Sequence, residues 1–195
     1  MLTWGFLSVI AVPLVWAVLI YNRLVQLRNR IANAFGQIDV QLKRRHDLVP
    51  NLVEVARAYL AHESATLEAV IRARGLAQAA AATARAQPVN AASVKALAAA
   101  EGALGGSLGR LMAVAERYPD LKADATMMSL SEELTSTENR LGFARQAYND
   151  QVLDFHNEAT RFPDLIVARL LGFAPTALLE ATRSEAERAT PKVSL

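Results

Sequence analysis

Cysteine is absent from this chain, aromatic residues make up only 6%, and the first twenty-two positions carry no charged side chain. The first absence excludes disulfides, thiolate metal sites and a cysteine nucleophile. The second leaves a core built from Ala, Leu and Val, residues that pack helices more readily than sheets, because both tryptophans, Trp4 and Trp16, fall in the opening segment. A strongly basic balance is also missing, since 21 Lys and Arg face 19 Asp and Glu. A nucleic-acid surface needs a basic stripe with aromatic platforms, and none is visible, so no nucleic acid is expected as a partner. With 195 residues, 52% of them apolar, the chain has material for one folded core.

The uncharged opening is the strongest positive signal. Leu2 to Tyr21 spans about 30 Å as a helix, enough for a bilayer core. Trp4, Trp16, Tyr21 and Arg23 are the expected interface residues of this anchor, and Pro13 a tolerated kink. Arg23, Arg28 and Arg30 come before the first acid, Asp39, so the positive-inside rule places the amino terminus outside and the rest in the cytosol of an inner membrane. Cleavage after Val15-Trp16-Ala17 is the rival; the lack of an amino-terminal Lys or Arg and the apolar Val18-Leu19-Ile20 favour a retained, single-pass anchor.

Beyond it, heptad-like spacing predicts four long helices. The first carries Leu24, Leu27, Ile31, Ala34, Ile38 and Leu42, and is expected to break at His46-Asp47-Leu48-Val49-Pro50, with Pro50 opening the second. The second carries Leu52, Val55, Tyr59, Leu67, Val70 and Ile71, and its tail, Ala77 to Ala86, has so little to bury that fraying is expected. Gln87-Pro88-Val89-Asn90 separates it from the third, with Asn90 as N-cap. The third has the cleanest seam: Val94, Leu97, Leu104, Leu108, Leu111, Ala115 and Tyr118, with Glu101 as its polar member. Gly102, Gly105, Gly106 and Gly109 inside it mark either a close backbone neighbour or neutral drift.

A fourth helix starts between Asp124 and Ser131, where Ser129 and Glu132 have capping-box spacing, and runs through Leu134, Leu141, Tyr148, Val152 and Phe155 towards Phe162. The expected fold is therefore all-α: a transmembrane helix over 1–22, an antiparallel up-down four-helix bundle over 23–162, and a short apolar helix with a frayed polar tail over 163–195. In that topology the stretch with Leu170, Leu171 and Phe173 returns towards the membrane, either to lie at its interface or to cap the bundle.

Motifs for chemistry are lacking. The residues three before His46, His62 and His156 are Lys43, Tyr59 and Leu153, so no Glu-x-x-His di-iron pattern exists. His62-Glu63 begins like a zincin motif, but Thr66 stands where the second histidine belongs. No catalytic residue, metal site or cofactor is expected. Glu101 and Glu138 lie by apolar seams and are placed to meet arginine across the bundle, fixing helix register.

Several stretches together resemble the LemA family of bacterial membrane proteins. They are Tyr21-Asn22-Arg23-Leu24-Val25, Arg28-Asn29-Arg30, the long run from Gln37 to Val53, Tyr118-Pro119-Asp120-Leu121-Lys122, Glu138-Asn139-Arg140, Ala144-Arg145, Tyr148-Asn149, Phe162-Pro163 and Gly172-Phe173. The Ala-rich middle and Leu179 depart from the family pattern. The resemblance implies a membrane helix with a helical bundle, no established general activity, and, through frequent association with membrane zinc peptidases, an unidentified protein partner in envelope quality control. Asp39, Arg44, Arg45, His46, Asp47 and Asn51 are then the candidate interaction surface, the alternative being a structural corner between the first two helices. A non-enzymatic interaction or scaffold protein is the expected function, and its oligomeric state is left open.

Overall fold

A computed structural model describes the chain from Leu2 to Leu179, with side chains described from position 11 onward. Every element among the described residues is helical: α1 Leu2–Tyr59, α2 Ser64–Ala86, α3 Ala91–Ala115, α4 Pro119–Lys122, α5 Ala125–Thr160 and α6 Asp164–Leu170. Trp4, the first half of the proposed span and the polar tail after Leu179 lie outside the described side chains. Among the described residues, no helix is long and apolar enough to cross a membrane.

The largest correction concerns α1, which does not break at residues 46–50. It runs unbroken for 58 residues with Pro13 and Pro50 inside it. A proline in a helix interior has no N–H to give the carbonyl four residues earlier, and that orphaned acceptor is much of its cost. Here the carbonyl is that of His46, and the Nε of Arg74, on α2, donates to it at 2.6 Å. The missing hydrogen bond is replaced from the neighbouring helix. The chain turns instead at Leu60–Glu63, so residues 50–59 extend the first helix rather than open a second.

Pairing follows the seams. Along α1, Leu24, Ile31, Ile38 and Leu42 are buried. Helix α5 runs antiparallel to α1, as four contacts in reversed order establish: Arg23 with Glu158 at 2.7 Å, the Phe35 and Tyr148 rings with centroids 6.0 Å apart, Arg44 with Glu133, and the Tyr59 hydroxyl donating to Asp124 at 3.0 Å. Helix α2 returns along α1, where Arg85 donates twice to Asp39, each at 2.8 Å.

The Ala-rich tail of α2 is helical to Ala86, against the expectation of fraying. Ala73, Ala77, Ala81 and Ala84 are buried, so small side chains serve here as a contact face. Asn90 caps α3 as expected, accepting from the backbone N–H of Ala92 and Ser93 at 2.9 and 3.2 Å. For α5 the cap is Asp124, whose carboxylate accepts from Met127 N–H at 2.9 Å; Ser129 and Glu132 lie within the helix. Of the α3 glycines, a Cβ at Gly106 or Gly109 would meet nothing within 4 Å, while one at Gly105 would sit 3.4 Å from the Arg45 guanidinium. At Gly105 the close neighbour is thus a side chain, not a packed backbone.

After α6 the chain lies back along α5. The Asn149 carboxamide accepts from Leu179 N–H at 2.8 Å and its amide donates to Leu179 C=O at 3.3 Å, while Thr176 N–H donates to the His156 ring at 3.1 Å. The Tyr148 hydroxyl donates within 3.2–3.3 Å of the carbonyls of Pro88 and Ala177, and burial raises its pKa.

Candidate functional site

The apolar interior is not continuous. One cluster includes Leu42 of α1, Ala81 of α2, Leu97 of α3 and Leu141 of α5; the other includes Val49, Ala77, Leu104 and Leu134 of the same four helices. Between them, one heptad of the α1, α3 and α5 seams is taken by something else, while on α2 Ala77 and Ala81 follow one turn apart. On α1 these are Arg45 and His46, on α3 Glu101, and on α5 Thr137 and Glu138. A layer of charge therefore crosses the molecule between two apolar halves.

Arg45, His46 and Glu101 are each only 3% exposed. The Glu101 carboxylate accepts from Arg45 Nη1 and lies against His46 Nε2, both at 2.7 Å. An ionised carboxylate can only accept, so Nε2 carries the hydrogen in this pair. Arg45 Nη2 reaches Glu138 at 2.6 Å, which places one guanidinium between carboxylates from two helices. Arg145 is the second cation of the layer; burial lowers its pKa, the Arg45 charge lowers it further, and Glu138 and Glu101 oppose both effects. Thr137 satisfies its hydroxyl within α5 by donating to Glu133 C=O at 2.8 Å.

The Nε atoms of Arg45 and Arg145 and the Oε1 of Gln41 are buried without hydrogen-bond partners. A buried network with open valences adds less stability than a fully paired one, yet still costs heavily when broken. Its clear effect is on register. Sliding α3 by one turn would bring Glu101 opposite apolar side chains and strand Arg45.

The six residues expected to form one surface are distributed by the helix, because neighbours in sequence are turned about 100° from one another. Arg45 and His46 point inward. Asp39 is clamped to Arg85 of α2, and Arg44 to Glu133 of α5. Asp47 and Asn51 are exposed. None stands at a corner between helices, since α1 continues through all of them. Asp39, His46 and Asp47 also border an open groove of about 500 Å³ between α1 and α2, together with Lys43, Gln78 and Arg85.

Glu101 and Glu138 do meet an arginine across helices, as their place beside the seams implied. Arg74, Arg85 and Glu133 are partners that sequence reasoning missed; the two arginines stand out only as long cations in the small-residue helix α2. Among the described residues, no three His, Asp or Glu side chains converge to hold a metal ion. Towards the amino-terminal end of α1, Trp16 and Tyr21 are 37% and 44% exposed, and the Tyr21 ring meets Phe173 edge-on at 5.8 Å.

Comparison with known proteins adds kinship. The model of the LemA family matches residues 34–195, most of the chain. Over 79 residues the chain is 37% identical to magnetosome protein MamQ 2 of Paramagnetospirillum magneticum, and 33% identical to magnetosome protein MamQ of Magnetospirillum gryphiswaldense. Each match covers 40% of this chain and 29% of the relative, so the likeness spans under a third of those proteins.

Proposed function

Because this chain belongs to the LemA family, we propose that it is a membrane-anchored, non-enzymatic helical protein that holds an antiparallel four-helix bundle against the inner face of the inner membrane for partner proteins to bind. The observation that carries the reading is the continuity of α1. The uncharged residues 2–22 and the wall of the domain belong to one helix, with Arg23, Arg28 and Arg30 following the uncharged run. The uncharged run, whose first half lies outside the described side chains, serves as the anchor, and the arginines hold the domain on the cytosolic side. The likeness to magnetosome proteins adds support for a membrane-associated role.

A scaffold reading also suits the charged layer. Arg45, His46, Glu101 and Glu138 are taken up in helix-to-helix pairs, and the first three are withdrawn from solvent, which favours a fixed shape over turnover of a substrate. Candidate partner-facing groups are those left outward on α1, Asp47 and Asn51, with the groove beside Asp39 and Lys43.

The test is fractionation of cells producing the full chain with a carboxy-terminal fluorescent domain. The protein should stay in carbonate-washed membranes and fluoresce on the cytosolic side, and replacing Leu2 to Tyr21 with a soluble leader should release it folded. Recovery of the intact chain in the carbonate supernatant would overturn the anchor. Crosslinking mass spectrometry on the same membranes would identify the partner, including any membrane peptidase.

A further inference from the structure

Helix α6 has two faces of opposite character. Asp164, Val167 and Ala168 are buried, and the last two join the apolar cluster that holds Ile20 and Leu24 of α1. On the other side Ile166 and Leu170, four residues apart as on one helical face, are 50% and 79% exposed; Phe162 in the turn before the helix and Leu171 just after it are 77% and 55% exposed. Exposed apolar side chains gathered in one place mark a surface that meets something other than water.

Two contacts fix where that surface lies. Just before α6, Glu158 pairs with Arg23 at 2.7 Å; just after it, the Phe173 ring meets Tyr21 with centroids 5.8 Å apart. The segment that carries α6 is therefore tied to α1 on both sides, at Arg23 and at Tyr21, two residues apart. The height it occupies is where the uncharged run gives way to arginines, beside the exposed Val18, Leu19 and Tyr21. Arg161 and Arg169 are exposed around the patch, whereas the acids nearest in sequence, Glu158 and Asp164, are paired or buried, leaving Asp154.

We propose that α6 is an interfacial helix that rests on the same leaflet from which α1 emerges. Phe162, Ile166, Leu170 and Leu171 enter the boundary between headgroups and acyl chains, and Arg161 and Arg169 face anionic lipid phosphates. The proposal rests on the anchored reading above. A bilayer is the occupant favoured over a second protein because the patch adjoins the exposed Val18, Leu19 and Tyr21 of α1 and is rimmed by cations. One helix gripping the bilayer leaves the domain free to swivel about it; a second contact fixes its attitude.

The lack of native cysteine makes the test direct. Leu170→Cys and Val15→Cys, each in the full chain, are labelled with an environment-sensitive nitrobenzoxadiazole probe and reconstituted in vesicles of phosphatidylethanolamine and phosphatidylglycerol. The probe at Leu170 should shift to the blue and lose at least half its emission to a lipid nitroxide near the headgroup, with weaker quenching in vesicles of phosphatidylcholine alone. A Leu170 probe open to aqueous dithionite while the Val15 probe is protected would overturn the interfacial helix and leave the anchor standing. So would a shielded Leu170 probe that lipid nitroxide does not quench, which would mean a protein neighbour. Exposure of both would remove both readings; exposure at Val15 alone would remove the anchor and retain the lipid contact.

Discussion

Glu101 is the residue on which the charged layer depends, and replacing it with leucine isolates what the layer contributes. The substitution leaves Arg45 Nη1 and His46 Nε2 facing an apolar side chain in a place where all three residues are 3% exposed. Removing one member of a buried ionic cluster costs about 3–5 kcal/mol, since the remaining charge stays desolvated without its counter-charge. The lower end applies, because Glu138 still holds Arg45 Nη2 at 2.6 Å. About 3 kcal/mol translates to a melting temperature lower by roughly 6–12 °C for a domain of this size. Circular dichroism at 222 nm on the detergent-solubilised chain would measure it. Arg45→Met with Glu101→Leu should recover much of the loss, because the two fully buried charges go together and the Glu138 left behind is 42% exposed, and the two changes should be strongly non-additive. A Glu101→Leu melting temperature within about 2 °C of the parent, or strict additivity, would refute the account of the layer as mutually dependent charges.

Two further outcomes follow from single contacts. Arg74→Ala should cost about 1–2 kcal/mol in the parent, where it leaves the His46 carbonyl unpaired, and less in a Pro50→Ala background, where residue 50 regains an N–H; equal costs in urea melts of both backgrounds would exclude the replacement bond. The Asp124 carboxyl has a lowered pKa, first through the Met127 N–H and then through the Tyr59 hydroxyl. Its contribution is complete above the ordinary carboxylate range and is lost as pH falls through the lowered value. The stability gap between parent and Asp124→Asn should accordingly narrow on acidification, and a gap independent of pH would rule this out.

The seams of α1, α3 and α5 were readable because an apolar residue every three or four positions has few alternatives to an amphipathic helix, and Asn90 announced itself through Gln87-Pro88 before it. Pro50 misled for a physical reason. Whether an internal proline ends a helix depends on who satisfies the carbonyl four residues back, and Arg74 is 28 residues away in sequence. The tail of α2 misled in the opposite sense: alanine buries little area by itself, and its value as a contact face depends on neighbours that periodicity cannot supply. Glu101 was visible as the one polar residue of its seam, and its meeting with arginine was within reach. The six residues from Asp39 to Asn51 do not all face one way, since a helix turns consecutive residues outward, sideways and inward, and Arg45 and His46 are buried.

The unbroken course of α1 also sets a distance. From Arg23 to Tyr59 the helix rises about 55 Å at 1.5 Å per residue. In the anchored arrangement, the turn at Ala61 and His62 is thereby carried a fixed height above the bilayer, with no flexible linker to blur it. The protein then acts as a standoff. A partner that meets the far tip would have to stand about as tall itself, while one held close to the lipid would find only the basic end that carries α6.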